Sequence, residues 1–252
     1  MSRNNVIKFP GIMHLKVVPS RVRYYIKCPY FLYLSNHNEV FIPYSPVASQ
    51  KGNYFEKSVL NRISRNTGFE IIKAKKISDL LSANGLYTLN KKVDAEFYAD
   101  NNARFKIGML KPDLIMSEIT RNSIDLTIVE IKNSDDLQPY HLLQAYIYKL
   151  TLQKLLSEEI KMAINIGVRM VHWGKGAYPK AEYEWDFERF KEKIVSTNSE
   201  SFIVETSLDL ESEIVFNQAL QKIALIQSNT VECDTCPGAD KCKHSLCMQA
   251  SR

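Results

Sequence analysis

Two apolar runs between residues 111 and 132 flank a polar segment at 121–123, a pattern that predicts two strands joined in a hairpin. Side chains of a strand alternate between its two faces, so every second residue shares a face. The alternate positions from Ile124 to Ile128 are apolar and share one face with Glu130 and Lys132. That face is therefore predicted to be core along most of the strand and to become charged only at the strand's end.

Charged groups at this strand end are the first candidates for chemistry. Asp113 lies early in the first strand of the predicted hairpin, and Glu130 and Lys132 lie at the end of the second. Two carboxylates and an ammonium at the end of a buried strand are costly unless they bind something, and a divalent metal is the natural candidate. The alternative is an ordinary salt bridge in solvent between Lys132 and Glu130.

Apolar residues also recur at helical spacing over residues 49–65, where Phe55, Val59 and Ile63 form one stripe that is expected to be buried. Glu56 lies beside this stripe, four residues after Gly52. It either points inward or is a favourable charge in a first helical turn.

A second helix is predicted to begin near Pro139, because proline suits a first helical turn, and to continue to about residue 159. Its expected apolar face consists of Leu142, Leu143, Tyr146, Ile147 and Leu150. His141, Gln144 and Tyr148 form a separate polar stripe. This stripe either faces solvent or directs hydrogen-bond donors at a phosphate backbone.

Weaker patterns predict the remaining elements. Ser20 is expected to cap a helix that Pro29 breaks after Cys28. Residues 67–110 are expected to be mostly strand and loop. The other expected elements are a short helix over 76–83, a buried strand over 161–172, and helices over 186–195 and 209–228.

Composition limits the class of protein. The 252 residues are 45% hydrophobic and 24% charged, which suits a globular chain with a sizeable core. No linker or repeat divides the sequence, so a single domain over 1–252 is expected, with its catalytic core over 50–172. An apolar run of membrane-spanning length and a signal peptide are both missing from the sequence, which predicts a soluble, cytoplasmic protein with no membrane contact.

The net charge of +5 means that any nucleic-acid surface must be local. A basic stretch precedes the carboxylate positions and forms either a solvated face or a binding groove. It consists of Lys73, Lys75, Lys76, Lys91, Lys92, Arg104, Lys106 and Lys111.

The five cysteines are placed unevenly: Cys28 stands alone, and four lie in the last 20 residues. An odd number without a secretory signal favours a metal site over a disulfide framework. Cys233, Cys236 and Cys242 have the spacing C-x2-C-x5-C and need a fourth ligand. Either His244 or Cys247 completes a local zinc knuckle, or Cys28 completes a cluster from the far end of the chain.

Taken together, these motifs resemble the PD-(D/E)xK superfamily, and within it the RecB-like iron–sulfur nucleases, most closely the CRISPR-associated adaptation exonucleases. Pro112-Asp113 followed by Glu130-Ile131-Lys132 matches the nuclease motif. The later helix carries the family's Q-x3-Y motif as Gln144 and Tyr148. The resemblance spans roughly residues 20 to 245.

One motif departs from the family pattern. Gly52 and Glu56 occupy the position of the family's G-x3-H motif, with glutamate in place of the usual histidine ligand. A carboxylate serves a hard cation at least as well as an imidazole, so Glu56 is kept as an expected metal ligand.

The resemblance implies two cofactors. Cys28, Cys233, Cys236 and Cys242 are expected to hold a 4Fe-4S cluster that joins segment 20–35 to segment 229–247, which leaves Cys247 spare. The expected ligands of Mg²⁺ or Mn²⁺ are Glu56, Asp113, Glu130 and the backbone carbonyl of Ile131. Lys132 is expected to act as an ammonium, and Gln144 and Tyr148 to orient the nucleotide or the phosphate backbone.

The implied fold class is α/β, with a restriction-endonuclease-like core in which helices flank a mixed central sheet. The implied enzyme is a metal-dependent DNA exonuclease that acts on single-stranded ends, in CRISPR spacer acquisition or DNA-end processing. The implied partners are DNA and CRISPR integrase proteins. The alternative is a non-catalytic iron–sulfur or zinc subunit that binds DNA within a recombination or adaptation complex.

Overall fold

The computed structural model describes residues 6–8, 16–23, 46–98, 104–157, 163–179, 203–208, 214, 217–218 and 230–232. The chain forms two compact units of mixed α/β structure. The larger consists of Pro43–Lys92 and Met109–Leu210, and the smaller of Met1–Ile42, Val93–Gly108 and Glu211–Arg252. Within the described residues, no helix is long and apolar enough to cross a membrane.

The strands are β1 (Val6–Lys8), β2 (Lys16–Val17), β3 (Ile71–Ala74), β4 (Gly85–Leu89), β5 (Lys91–Tyr98), β6 (Arg104–Leu110), β7 (Leu114–Ile119), β8 (Ser123–Lys132), β9 (Ala163–Trp173), β10 (Ile203–Ser207) and β11 (Thr230–Glu232). The helices are α1 (Pro46–Thr67) and α2 (Pro139–Ser157), with short 3-10 helices at Pro19–Arg21 and Ile77–Leu81.

A six-stranded mixed sheet with the order β10-β9-β8-β7-β4-β3 forms the centre of the larger unit. Strands β7 and β8 pair antiparallel, with Leu114 opposite Val129 and Ile119 opposite Ile124. Strands β8 and β9 pair in parallel, and α2 lies in the connection between them, as a parallel pair requires. The mixed sheet and its hairpin confirm the α/β prediction.

The two faces of this sheet are covered by different helices. On one face, Phe55 and Val59 of α1 pack against Ile131 and Trp173 in a buried apolar cluster. Glu130 and Lys132 alternate with Ile131 and so lie on the opposite face, where Gln144 of α2 hydrogen-bonds to both. The apolar stripe that predicted α1 faces this cluster, whereas α2 leaves Leu142 and Leu150 of its predicted apolar face half-buried and also buries Ala145, Tyr148 and Thr151.

The smaller unit contains the other two sheets. One is three-stranded with the order β2-β6-β5. In the other, β1 and β11 pair antiparallel, with Val6 opposite Glu232 and Lys8 opposite Thr230. This pairing joins the two ends of the chain, and β11 ends directly before Cys233.

Most of the predicted elements are present with small shifts. The helices predicted over 49–65 and from Pro139 correspond to α1 and α2, and the strand predicted over 161–172 corresponds to β9. The short helix predicted over 76–83 is the 3-10 helix at Ile77–Leu81. The hairpin turn lies one residue earlier than predicted, because the Thr120 hydroxyl accepts the N–H of Ser123 at 3.0 Å.

One prediction needs correction, and one strand was not predicted. Ser20 is not a cap: it lies inside the 3-10 helix that begins at Pro19, and Val18, at the capping position, makes no side-chain cap bond. Strand β10 was missed because it is five residues long and pairs at the edge of the sheet with β9. The predicted helix over 186–195 and the part of the first helix around Cys28 lie outside the described residues. Of 209–228, only 214 and 217–218 are described, and these are helical.

Candidate active site

The backbone of the β7–β8 hairpin holds the two predicted carboxylates against each other. Asp113 directly precedes β7, and its N–H donates to Glu130 Oε1 at 3.2 Å. In return, the N–H of Ile131 donates to Asp113 Oδ2 at 2.7 Å. Because each carboxylate accepts an N–H from the opposite side of the hairpin, the register of β7 and β8 fixes the distance between them.

Glu130 and Lys132 form a buried ion pair. Lys132 Nζ donates to Glu130 Oε2 at 2.6 Å, the Glu130 side chain is fully buried, and that of Lys132 is 15% exposed. The alternative of a solvent-exposed salt bridge is therefore wrong. The free energy needed to take two charges out of water can exceed the attraction between them, so this pair adds little to the stability of the fold.

Gln144 and Tyr148 extend this network from α2. Gln144 Nε2 donates to Glu130 Oε2 at 3.1 Å and to the Tyr148 hydroxyl at 3.4 Å, while Gln144 Oε1 accepts from Lys132 Nζ at 3.5 Å. Tyr148 is 2% exposed. Gln144 and Tyr148 therefore face Glu130 and Lys132 rather than solvent, and their action on a phosphate backbone stays a prediction.

Burial and charge set the protonation states at the site. Burial, and then repulsion by Asp113, raise the pKa of Glu130 to about 7, although the Lys132 charge opposes the shift. Burial alone lowers the pKa of Lys132, but attraction to Glu130 and Asp113 outweighs it, so the pKa of Lys132 is raised. The neighbouring carboxylates therefore favour the ammonium form of Lys132. Burial likewise raises the pKa of Tyr148, with a further contribution from the Glu130 charge.

The charges around Asp113 also affect the carboxylate of Glu56. Burial, and then repulsion by Asp113, raise its pKa, while the charges of Lys111, Lys132 and Lys57 lower it. Helix α1 begins at Pro46 and has no acidic residue in its first turn. The interpretation of Glu56 as a first-turn charge is therefore wrong, and its half-buried carboxylate belongs to the surroundings of Asp113.

The donor chemistry of the site fits a hard divalent cation. Carboxylate oxygens of Asp113 and Glu130 are the ligands that Mg²⁺ and Mn²⁺ prefer, and the repulsion between them is what a cation relieves. In the described part of the chain, no group of three or more His, Cys, Asp and Glu side chains is gathered to hold a metal. Magnesium is commonly held by one or two carboxylates plus waters and substrate phosphates, so this pair suffices as a protein contribution.

Sequence reasoning missed two residues that support the site, Asn133 and Trp173. Asn133 directly follows Lys132 in the chain, and its Oδ1 accepts the Trp173 indole N–H at 2.8 Å. Asn133 follows one strand and Trp173 ends another, and these positions in the sequence give no signal that the two residues meet.

All five cysteines lie outside the described residues, so the ligands of the cluster stay predictions. The Ile131 carbonyl as a metal ligand also stays a prediction.

No protein-family model matches this chain, and no curated protein matches it. Among solved structures, that of SSO0001 is 14% identical with a TM-score of 0.38, over 93% of this chain and 89% of that chain. The "Putative exonuclease" from Eubacterium rectale is 11% identical with a TM-score of 0.40, over 89% of this chain and 86% of that chain. At these values neither likeness indicates a function for this chain.

Proposed function

We propose that this chain is a metal-dependent DNA nuclease, and that it removes nucleotides from single-stranded ends. The observation that carries the proposal is the buried Glu130–Lys132 pair, held beside Asp113 by reciprocal backbone hydrogen bonds. Paired carboxylates with an adjacent ammonium suit the hydrolysis of a phosphodiester, in which negative charge grows on the phosphoryl oxygens. The motif resemblance narrows the class to DNA exonucleases of CRISPR spacer acquisition or DNA-end processing, with CRISPR integrase proteins as partners.

In this proposal Asp113 and Glu130 hold Mg²⁺ or Mn²⁺, with Glu56 and the Ile131 carbonyl as further ligands. When bound, the cation polarises the phosphoryl oxygen and lowers the pKa of its water. Lys132 keeps its proton because the neighbouring carboxylates favour the charged form, so it orients the attacking water and stabilises the developing charge.

The remaining residues of the network keep these groups in place. Gln144 contacts both members of the ion pair, so its amide fixes the Lys132 ammonium relative to Glu130. Tyr148 retains its hydroxyl proton, since its pKa is raised, and orients Gln144 or a phosphate oxygen. Lys57 and Lys111 are exposed beside Glu56 and offset the repulsion that a polyanion meets at three carboxylates.

The same proposal includes a 4Fe-4S cluster held by Cys28, Cys233, Cys236 and Cys242. Its support is the cysteine spacing together with the pairing of β1 with β11, which joins the two ends of the chain and stops one residue before Cys233. The pairing brings Val6–Lys8 to the segment before Cys233, and the proposed cluster further requires that Cys28 reach the same tail.

The function is tested with end-labelled single- and double-stranded DNA and the full-length protein. In Mg²⁺ or Mn²⁺ we expect nucleotides to be released from single-stranded ends, and we expect a chelator or Asp113→Asn to stop the release. Protein that binds DNA but leaves it intact at saturating Mn²⁺ would instead favour the non-catalytic DNA-binding subunit.

Substitution of Glu56 tests whether this residue is a ligand of the proposed metal. Glu56→Gln should weaken Mn²⁺ binding by roughly ten- to a hundredfold and depress cleavage, with partial rescue at high Mn²⁺, because a coordinating or orienting carboxylate has been lost. Glu56→His should retain more activity, since imidazole is the family's usual ligand. Titration of cleavage against Mn²⁺ measures both, and an unchanged Mn²⁺ dependence in Glu56→Gln removes Glu56 from the site.

Gln144→Leu tests the hydrogen bonds that join Gln144 to Glu130 and Lys132. We expect a fall in kcat of roughly ten- to a hundredfold, because Lys132 and Glu130 lose the amide that orients both. The matched control is Gln153→Leu, which alters an exposed glutamine on the same helix and should cleave normally. Equal rates for the two variants would show that Gln144 does not orient the pair.

A further inference from the structure

Trp173, the last residue of β9, is fully buried and contacts both segments that flank the carboxylate site. Its ring stacks on Phe55 of α1 at a centroid distance of 4.5 Å and an interplanar angle of 24°. Its indole N–H donates to Asn133 Oδ1 at 2.8 Å, and its backbone N–H donates to the Ser134 carbonyl at 3.0 Å. Tyr178 packs edge-on against the same ring at 6.3 Å.

These contacts reach the residues adjacent to the charged groups. Phe55 directly precedes Glu56, and Asn133 directly follows Lys132. The Asn133 bond fixes the chain where β8 ends, and the stacking contact fixes the turn of α1 that carries Glu56. One side chain thus connects α1, which covers one face of the sheet, to the end of β8 within the sheet.

The chemistry of the contact favours a specific role over general packing. A leucine or phenylalanine would fill apolar volume without any need for a partner, whereas a buried indole must have its N–H accepted. The acceptor is Oδ1 of Asn133, the first residue after β8, so its position is set by the end of that strand. The hydrogen bond therefore makes the packing of the ring depend on the backbone beside Lys132.

We propose that Trp173 is a positioning residue that holds Glu56 on α1 and Lys132 on β8 in a fixed relation around Asp113. The inference rests on the proposed function only in treating this site as catalytic. Groups that orient the residues of a metal site typically change metal affinity or activity by 10- to 100-fold when they are removed.

Two variants remove the hydrogen bond from opposite sides. Trp173→Phe keeps an aromatic ring against Phe55 but has no N–H, and Asn133→Leu keeps the size of the side chain but has no acceptor. The control is Leu86→Ala, which opens a cavity in the same apolar cluster on β4, two strands away from β8. It lowers stability without touching the bond.

The first readout is amide exchange of the metal-free protein. The N–H groups of Asp113 and Ile131 report the site directly, because each donates to the opposite carboxylate. We expect both to exchange about tenfold faster or more in Trp173→Phe and in Asn133→Leu, relative to Leu126 in the middle of β8. The second readout is the Mn²⁺ concentration that gives half-maximal cleavage, which should rise by roughly 10- to 100-fold in both variants.

The double variant should resemble each single variant, because both remove the same bond. Leu86→Ala should lower the melting temperature but leave the local exchange ratio and the Mn²⁺ dependence unchanged. The inference is overturned if Trp173→Phe leaves both readouts as in the parent, or if Leu86→Ala changes them equally. If the parent protein neither binds Mn²⁺ nor cleaves DNA, the proposed function fails, and the exchange ratio still decides the role of Trp173.

Discussion

Lys132→Met should reduce DNA cleavage by a hundredfold or more and should also destabilise the metal-free protein. The loss of activity is expected because the ammonium that stabilises the developing phosphoryl charge is gone. The loss of stability is expected because Glu130 is fully buried and Lys132 is its ion-pair partner. Removing one partner of a buried pair typically costs about 3–5 kcal/mol. Release of labelled nucleotides and chemical denaturation measure the two effects separately.

A second substitution separates stability from catalysis. In the double variant Glu130→Gln, Lys132→Met no buried charge lacks a partner, so much of the lost stability should return while cleavage stays absent. Arg121→Met is the control, because this exposed arginine lies in the turn between β7 and β8 and outside the basic stretch. Normal cleavage by Lys132→Met would show that the active site lies elsewhere.

The strand that carries this site was predictable because its pattern changes at one point. Apolar residues at every second position of β8 required a buried face, and the same parity placed Glu130 and Lys132 on it. The structure shows that Glu130 is fully buried on this face. Sequence alone left the solvent salt bridge open, because burial at a strand end depends on whether a helix covers it. Helix α2 does so, through Gln144.

Local sequence patterns could not predict the long-range contacts that support the site. Asn133 and Trp173 are 40 residues apart and meet only because β8 and β9 pair in parallel with Lys132 opposite His172. Propensity and periodicity describe neighbours along the chain, whereas this register is set by the whole sheet. The sequence placed Glu56 near Asp113 only through the resemblance to the family's G-x3-H motif, and the packing of α1 brings Glu56 under the influence of the Asp113 charge.

The cysteine pattern, in contrast, predicts a long-range contact from sequence spacing alone, between Cys28 and the C-terminal cysteines. The pairing of Val6 with Glu232 is independent of the cysteines and places the ends of the chain in one small sheet. That sheet is three residues long on each strand, and so short an antiparallel pair has little stability by itself. A covalent or coordinate connection nearby would supply what the hydrogen bonds lack.

Cys28→Ala should therefore abolish the proposed 4Fe-4S cluster and greatly reduce stability. Ligation that links Cys28 to Cys233 closes a loop of about 205 residues (233 − 28). By analogy with disulfides, this lowers the entropy of the unfolded chain by an amount worth on the order of 5 kcal/mol, which is comparable with the stability of a whole domain. Anaerobically purified protein should be brown and contain iron and acid-labile sulfide, and Cys28→Ala should be colourless and melt at a much lower temperature.

Cys247→Ala is the matched control, because the proposed cluster uses Cys233, Cys236 and Cys242 from the same tail and leaves Cys247 spare. This variant should keep the colour, the iron content and the melting temperature of the parent. A local zinc knuckle predicts a different set of results. The parent would be colourless with one zinc per chain, Cys28→Ala would leave the metal and the stability unchanged, and Cys247→Ala or His244→Ala would release the zinc. Metal analysis of the three variants beside the parent distinguishes a cluster that joins the chain ends from a site confined to the tail.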